Sequence, residues 1–100
     1  MDYQVVLSPS ARADLRDVVR YIYIDNPDEA VRFGRLLISR TRLLAQSPEL
    51  GRVVPEFEDA LIREIIVRAY RIVYRVDHSQ QLVEVIRFWH AARDVPEINT

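Results

Sequence analysis

The sequence predicts an α+β domain in which an antiparallel helical hairpin packs on one sheet. Three observations predict it. A β-branched run, Val5-Val6-Leu7, opens the chain; apolar residues then recur at helical spacing from Pro9 to Leu44; and three β-rich runs separated by short polar gaps follow Leu61. One hundred residues make one domain, read as 1–100, large enough to remove roughly 65% of its unfolded surface from water.

Tyr3 to Leu7 is the first strand, stopped by Ser8-Pro9. Ser8 is placed to cap a helix whose first position is Pro9, where a missing N–H costs nothing because that group has no intrahelical partner. Ala11, Leu15, Val18, Val19 and Ile22 form its apolar stripe to about Ile24, with Arg12, Arg16, Asp17 and Arg20 on the other side. At Asn26 a second helix starts: Asn26 caps, Pro27 takes the first turn, and Glu29 stands three residues past the cap. Its stripe is Ala30, Phe33, Leu37, Thr41 and Leu44, widened by Val31, Leu36, Ile38 and Leu43, until Ser47-Pro48. So short a connection makes the two helices antiparallel. Gly34 costs ~1 kcal/mol against Ala in a helix interior, which points either to a close contact or to plain tolerance.

Pro48 to Ala60 holds Gly51, Pro55 and the acidic residues Glu56, Glu58 and Asp59, and reads as a loop. Leu61–Val67, Tyr70–Val76 and Leu82–Trp89 read as three consecutive antiparallel strands. In the middle one, Tyr70, Ile72, Tyr74 and Val76 share an inward face, while Arg71, Val73, Arg75 and Asp77 share one expected to be partly wet. Alternation assigns no inward face to the last strand, where Leu82, Ile86 and Phe88 run with Glu84, and Val83, Val85 and Trp89 run with Arg87. The end of the chain from Ala91, and 95–100 in particular, reads as a flexible tail.

Composition narrows the chemistry. All fourteen basic residues are arginine, against fifteen Asp plus Glu, and the net charge is −1. The missing Cys excludes disulfides, thiolate zinc sites and a cysteine nucleophile, and suits a reducing cytoplasm. The missing Lys excludes a lysine Schiff base and a phosphate loop ending in Gly-Lys-Ser or Gly-Lys-Thr. Near-zero charge argues against broad attraction to nucleic acid, since that force scales with the phosphates neutralised. Met1-Asp2-Tyr3-Gln4 lacks the basic start of a signal peptide, and no apolar run approaches the ~20 residues of a bilayer span, so a soluble cytoplasmic chain with no membrane partner is expected. With only His78 and His90, neither metal nor cofactor is expected.

Local clusters remain. His78, in a turn with Asp77 and Ser79, reads as solvated or structural. His90 is either a strand-end histidine bonded to backbone or a general acid–base near pH 7. Arg63, Arg71, Arg75 and Arg87 fall in strands, where pairing can gather several on one face; such guanidinium groups bind phosphate in fixed geometry and stabilise its transition-state charge, with Glu64, Glu84 or His90 moving protons. The alternative is a polar face of Arg–Glu pairs, each worth little. Tyr70, Tyr74, Phe88 and Trp89 either stack on bases or fill the core. On the hairpin, Arg12, Arg16, Arg20, Arg32, Arg35, Arg40 and Arg42 with Tyr21 and Tyr23 either receive an acidic amphipathic partner or form a solvated face paired with Asp14, Asp17 and Glu29.

Taken in order, the segments Leu7-Ser8-Pro9-Ser10-Ala11-Arg12-Ala13-Asp14-Leu15, Tyr21-Ile22, Asn26-Pro27, Ala30 to Phe33, Pro48-Glu49-Leu50-Gly51-Arg52, Arg63-Glu64, Tyr70-Arg71-Ile72-Val73-Tyr74-Arg75-Val76 and Trp89-His90-Ala91-Ala92-Arg93-Asp94 resemble the toxins of the ParE/RelE superfamily. The resemblance covers 3–94. It implies a RelE/ParE-like fold and a cytoplasmic toxin neutralised in a hetero-oligomer by a tightly bound antitoxin. RelE-like members cut messenger RNA in the ribosome and are strongly basic; ParE-like members inhibit DNA gyrase. The absent Lys, the slightly acidic balance, and Trp-His-Ala-Ala-Arg-Asp where many ribosome-dependent relatives carry a Tyr-bearing tail favour the ParE-like branch, hence a gyrase inhibitor rather than an enzyme. Antitoxin or target binding is then expected at Arg12, Arg16, Arg20, Arg71, Arg75, Arg87, Trp89, His90 and Arg93. The alternative, a ribosome-dependent endoribonuclease, would use Arg63, Arg71, Arg75, Arg87 and His90; a non-toxic binding module retaining the fold is the third reading. Arg68-Ala69 departs from relatives that have Gly or Pro at this turn.

Overall fold

The computed structural model describes residues 2–98. Strand β1 (Gln4–Leu7) leads into helices α1 (Pro9–Asp25) and α2 (Pro27–Arg42), and a 3-10 turn, Leu43–Ala45, ends the hairpin. Strands β2 (Arg52–Val53), β3 (Ile62–Val67), β4 (Tyr70–Asp77) and β5 (Leu82–His90) follow, in the sheet order β1-β5-β4-β3-β2. β1 pairs with β5 in parallel; every other pairing is antiparallel. The expected helices start at the expected caps, with Ser8 accepting from the Ala11 N–H and Asn26 from the Glu29 N–H.

β2 corrects the reading of Pro48 to Ala60 as loop throughout. Two residues are too few to show a period, and what fixes β2 is close approach. The Gly51 N–H donates to the Tyr74 hydroxyl at 2.9 Å, and a Cβ on Gly51 would lie 2.3 Å from the Glu64 carbonyl oxygen. Gly34 also marks a tight contact, since a Cβ there would come within 3.1 Å of Val19 Cγ2 across the hairpin.

The undecided face of β5 has a structural cause. Val73 pairs with Arg87 but Tyr74 with Val85, so Ile86 is an extra residue bulged out of the ladder. The bulge reverses parity: Val83 and Val85 before it and Phe88 after it all join the same core. Ser8 secures it, donating its N–H to the Val85 carbonyl and its hydroxyl to the Ile86 carbonyl, each at 2.9 Å, while capping α1.

That main core sits between hairpin and sheet, with Ala11, Val18, Phe33, Leu37 and Leu44 against Ile72, Tyr74, Val76 and their β5 neighbours. The opposite face, expected to be partly wet, is instead closed around Val73, which packs with Ile62 and Val54 under Phe57 and Ile98. Burial there offsets the polar neighbours because the segment after β2 and the end of the chain both fold over it. Pro96 is buried and the Trp89 indole N–H donates to the Asp94 carbonyl at 2.8 Å. Within the expected tail, Pro96 is thus buried and Ile98 packs on this face, while Val95 and Glu97 stay exposed; 99–100 lie outside the described residues.

The β3–β4 turn carries Arg68 at φ 52°, a left-handed conformation that favours glycine. Its side chain is tied down: the guanidinium reaches Glu29 at 3.0 Å and lies 5.1 Å from the Phe33 ring centroid. These contacts explain how arginine serves where a glycine would be unstrained.

Candidate functional site

Register decides which strand residues meet. On the face away from the hairpin, Arg71 and Arg75 alternate with Val73, opposite Glu64 and Ile62 of β3. The Arg71 guanidinium is fully engaged: Nε donates to Glu64 Oε1 at 2.5 Å, and Nη1 and Nη2 make a two-pronged bond to Glu56 at 2.7 and 2.8 Å. The Glu64 carboxylate has no exposed surface, and its second oxygen accepts from Arg52 at 2.7 Å. Two arginines and two carboxylates thus close a neutral network under the segment after β2. The Arg71 hydrogen bonds hold the Glu56 carboxyl below the ordinary range, and the same bonds raise the Arg71 pKa.

Because the folded-state pKa of Glu56 lies below its ordinary 4.5, the pair contributes fully above that value and is lost as pH falls through the folded one. Denaturant unfolding between pH 5 and 3 should therefore show a steeper loss of stability in the wild type than in Glu56→Gln.

The other candidates are dispersed. Arg63 lies on the hairpin side of the sheet opposite Tyr74, donating to the Gly51 carbonyl at 2.9 Å. Arg75 is half-buried between Ile62 and Glu84. Arg87 reaches from β5 to α1, where its guanidinium pairs with Asp14 at 2.7 and 2.8 Å; those bonds raise its pKa, and Asp14 also accepts the Phe88 N–H. Trp89 is buried between Arg87 and Arg93, whose guanidinium carbons lie 4.7 and 3.8 Å from its ring. His90 pairs in register with Tyr70, on the opposite face from Arg71; its Nδ1 accepts the Ala92 N–H at 3.0 Å. The expected set Arg63, Arg71, Arg75, Arg87 and His90 is therefore split between two faces and an edge. Its best-placed fork is filled by a carboxylate.

A different site was hidden in the pattern. Between α1 and α2, away from the sheet, runs an open groove of about 590 Å³, floored by Leu15, Val19, Gly34 and Ile38 and edged by Val31, Arg35 and Arg42. Val31 and Ile38 widen the α2 stripe beyond what a single buried face uses, and Arg35 and Arg42 belong to the hairpin surface that the sequence offers to an acidic amphipathic partner. Arg12, Arg16 and Arg20 stand exposed at four-residue spacing along α1.

The fold and these surfaces can now be set beside known proteins. The family model for the ParE toxin of type II toxin-antitoxin systems, parDE, matches residues 5–95. The chain belongs to the ParE toxin family. Among curated proteins no match is found. Solved structures show that the ParE fold is kept at low identity. The chromosomal ParDE toxin-antitoxin system from P. aeruginosa gives a TM-score of 0.73 at 16% identity, covering 88% of this chain and 95% of that one. The toxin-antitoxin complex RelBE2 from Mycobacterium tuberculosis gives 0.68 at 23%, covering 90% and 99%. A mutant of the E. coli toxin RelE in the free state gives 0.65 at 21%, covering 92% and 86%. No helix among the described residues of this ParE-family chain is long and apolar enough to cross a membrane.

Proposed function

We propose that this ParE-family chain is the toxin of a two-component module, neutralised by a cognate antitoxin, and that it acts by inhibiting DNA gyrase rather than by cutting RNA. The observation that carries the choice of target is the state of Arg71. A phosphodiester bound there would have to displace Glu56 from the two-pronged bond; of the remaining candidates only Arg75 shares that face, while Arg63 and His90 lie on the opposite one and Arg87 is held by Asp14. General acid–base cleavage needs its groups within hydrogen-bond reach of one scissile phosphate, and their dispersal over the sheet supports the non-nuclease reading. Purified chain should inhibit gyrase supercoiling. Unchanged supercoiling together with growth arrest would rule the proposal out.

The antitoxin is assigned to the α1–α2 groove. Its apolar floor with Arg35 and Arg42 at the edge, beside Arg12 and Arg16, suits an amphipathic segment with an acidic rim. The P. aeruginosa relative is part of a toxin-antitoxin system and the M. tuberculosis one is a toxin-antitoxin complex, which supports a protein partner for this chain as well. The double substitution Val31→Glu with Arg35→Glu should weaken antitoxin binding about 100-fold by calorimetry, since it places charge at both the apolar wall and the basic edge. Both residues are exposed, so unfolding should shift by no more than about 0.5 kcal/mol.

A further inference from the structure

One exposed apolar surface is used neither by the core nor by the groove. Near the end of α1, Tyr21 is 69% and Ile24 82% exposed. Three residues apart, they share a helix face, and Tyr21 stands on the flank of α1 opposite Val19 and the groove. Tyr23, expected to join Tyr21 in a single stripe, points elsewhere because two residues turn a helix by about 200°.

Tyr21 and Tyr70 together wall two adjoining hollows. One, of about 290 Å³, is apolar, with Phe33 and Ala69 at its base. The other, of about 200 Å³, is polar and is lined by Asp17, His90, Arg93 and Asp14, the last already neutralised by Arg87. Tyr70 is fixed between Phe33 and His90, with ring centroids 5.6 and 5.1 Å away. The bond from Ala92 occupies His90 Nδ1, which leaves Nε2–H as the donor of the neutral ring. Arg93 lies over Trp89 and has no carboxylate partner among the described residues, so its cation is already positioned and unmatched.

We propose that this end of the molecule docks the toxin's protein target, through a segment that buries one large apolar side chain between Tyr21 and Tyr70 and sets a carboxylate against Arg93 and His90. The inference rests on the toxin reading above. Exposed tyrosine beside a preformed apolar hollow is the composition of an interface anchor, and the unpaired guanidinium supplies charge complementarity for an acidic neighbour. Asp17, on the α1 wall, would repel a carboxylate placed there, which directs it to the Arg93 side. Target and antitoxin then contact opposite flanks of one helix.

The test compares Tyr21→Ala, Ile24→Asp and Tyr21→Phe with wild type in three measurements: growth arrest against the intracellular level of toxin, antitoxin affinity, and thermal unfolding. Tyr21→Ala and Ile24→Asp should each require about 30-fold more toxin for the same arrest, with antitoxin affinity within about twofold of wild type; Tyr21→Phe, which keeps the ring, should require no more than about threefold more. Wild-type arrest matched by Tyr21→Ala and Ile24→Asp at equal level overturns this surface and leaves the toxin reading standing. Equal loss of antitoxin affinity also overturns it, because the surface then belongs to the antitoxin. A wild-type chain that arrests nothing removes the toxin reading, and the inference with it. Ile24→Asp stands at a site the core does not use, so it decides the matter even if Tyr21→Ala alters unfolding.

Discussion

Glu64→Ala is expected to lower the unfolding free energy by about 3–5 kcal/mol. The residue is buried, its carboxylate stands between Arg52 and Arg71, and removing it leaves Arg71 Nε without an acceptor in a site closed to water. Arg52 contributes little to the loss because its side chain is 61% exposed and readily solvated. Breaking a buried pair is costly because a partner is left unmatched; here Glu56 still neutralises the Arg71 charge, and the stranded group is the charged Nε–H donor. Removing both charges is therefore expected to be milder: Glu64→Leu with Arg71→Met should recover most of the loss. Glu56 would then face no guanidinium, but it lies at the rim, where solvent can receive it. Denaturant unfolding of Glu64→Leu, Arg71→Met and the double variant measures the coupling directly. A Glu64→Ala protein of wild-type stability would show that the network is not what holds this face closed.

Gly51→Ala is expected to cost about 3 kcal/mol or more, or to detach β2 from the sheet. The new Cβ would stand 2.3 and 2.7 Å from the Glu64 carbonyl oxygen and carbon and 2.8 Å from the Tyr74 hydroxyl. The first two obstacles are strand backbone and the third is a fully buried ring, so none can move aside cheaply. Among the described residues no glycine has positive φ, so the requirement is for space and not for an unusual backbone. Tyr74→Phe separates the contributions, because it removes only the hydroxyl that accepts the Gly51 N–H, a loss of about 1 kcal/mol. If Gly51→Ala is no worse than Tyr74→Phe, β2 is free to shift and the contact is not fixed.

Both substitutions bear on features the sequence showed unevenly. Ser8-Pro9 and Asn26-Pro27 announced the helices because capping and ring constraint act locally. The three long strands announced themselves by composition and by short polar gaps. The parallel pairing of β1 with β5 was not legible, since it joins residues some eighty positions apart, such as Val5 and Val83. Nor was the bulge at Ile86, which hides inside an apolar run that looks the same in either register.

The candidate arginines were visible as residues but not as an arrangement. Alternation correctly separates Arg71 and Arg75 from Tyr74, yet it says nothing of Glu56, which comes from an irregular segment to occupy Arg71. The reading of this face as Arg–Glu pairs describes Arg71, while Arg87 is paired instead with a helix residue, Asp14. The groove was missed because Val31 and Ile38 count as core in any helical stripe until the partner faces are known. What near-neutral composition concealed was therefore the distribution of charge: a sheet face neutralised from within and a hairpin whose basic residues stay exposed.

Gyrase inhibition is tested by inducing the chain without antitoxin, with plasmid supercoiling and messenger integrity followed in the same culture. Loss of negative supercoiling, with messengers intact as growth stops, is the predicted result. Messenger cleavage on translating ribosomes with supercoiling unchanged, abolished by Arg71→Ala, would contradict it.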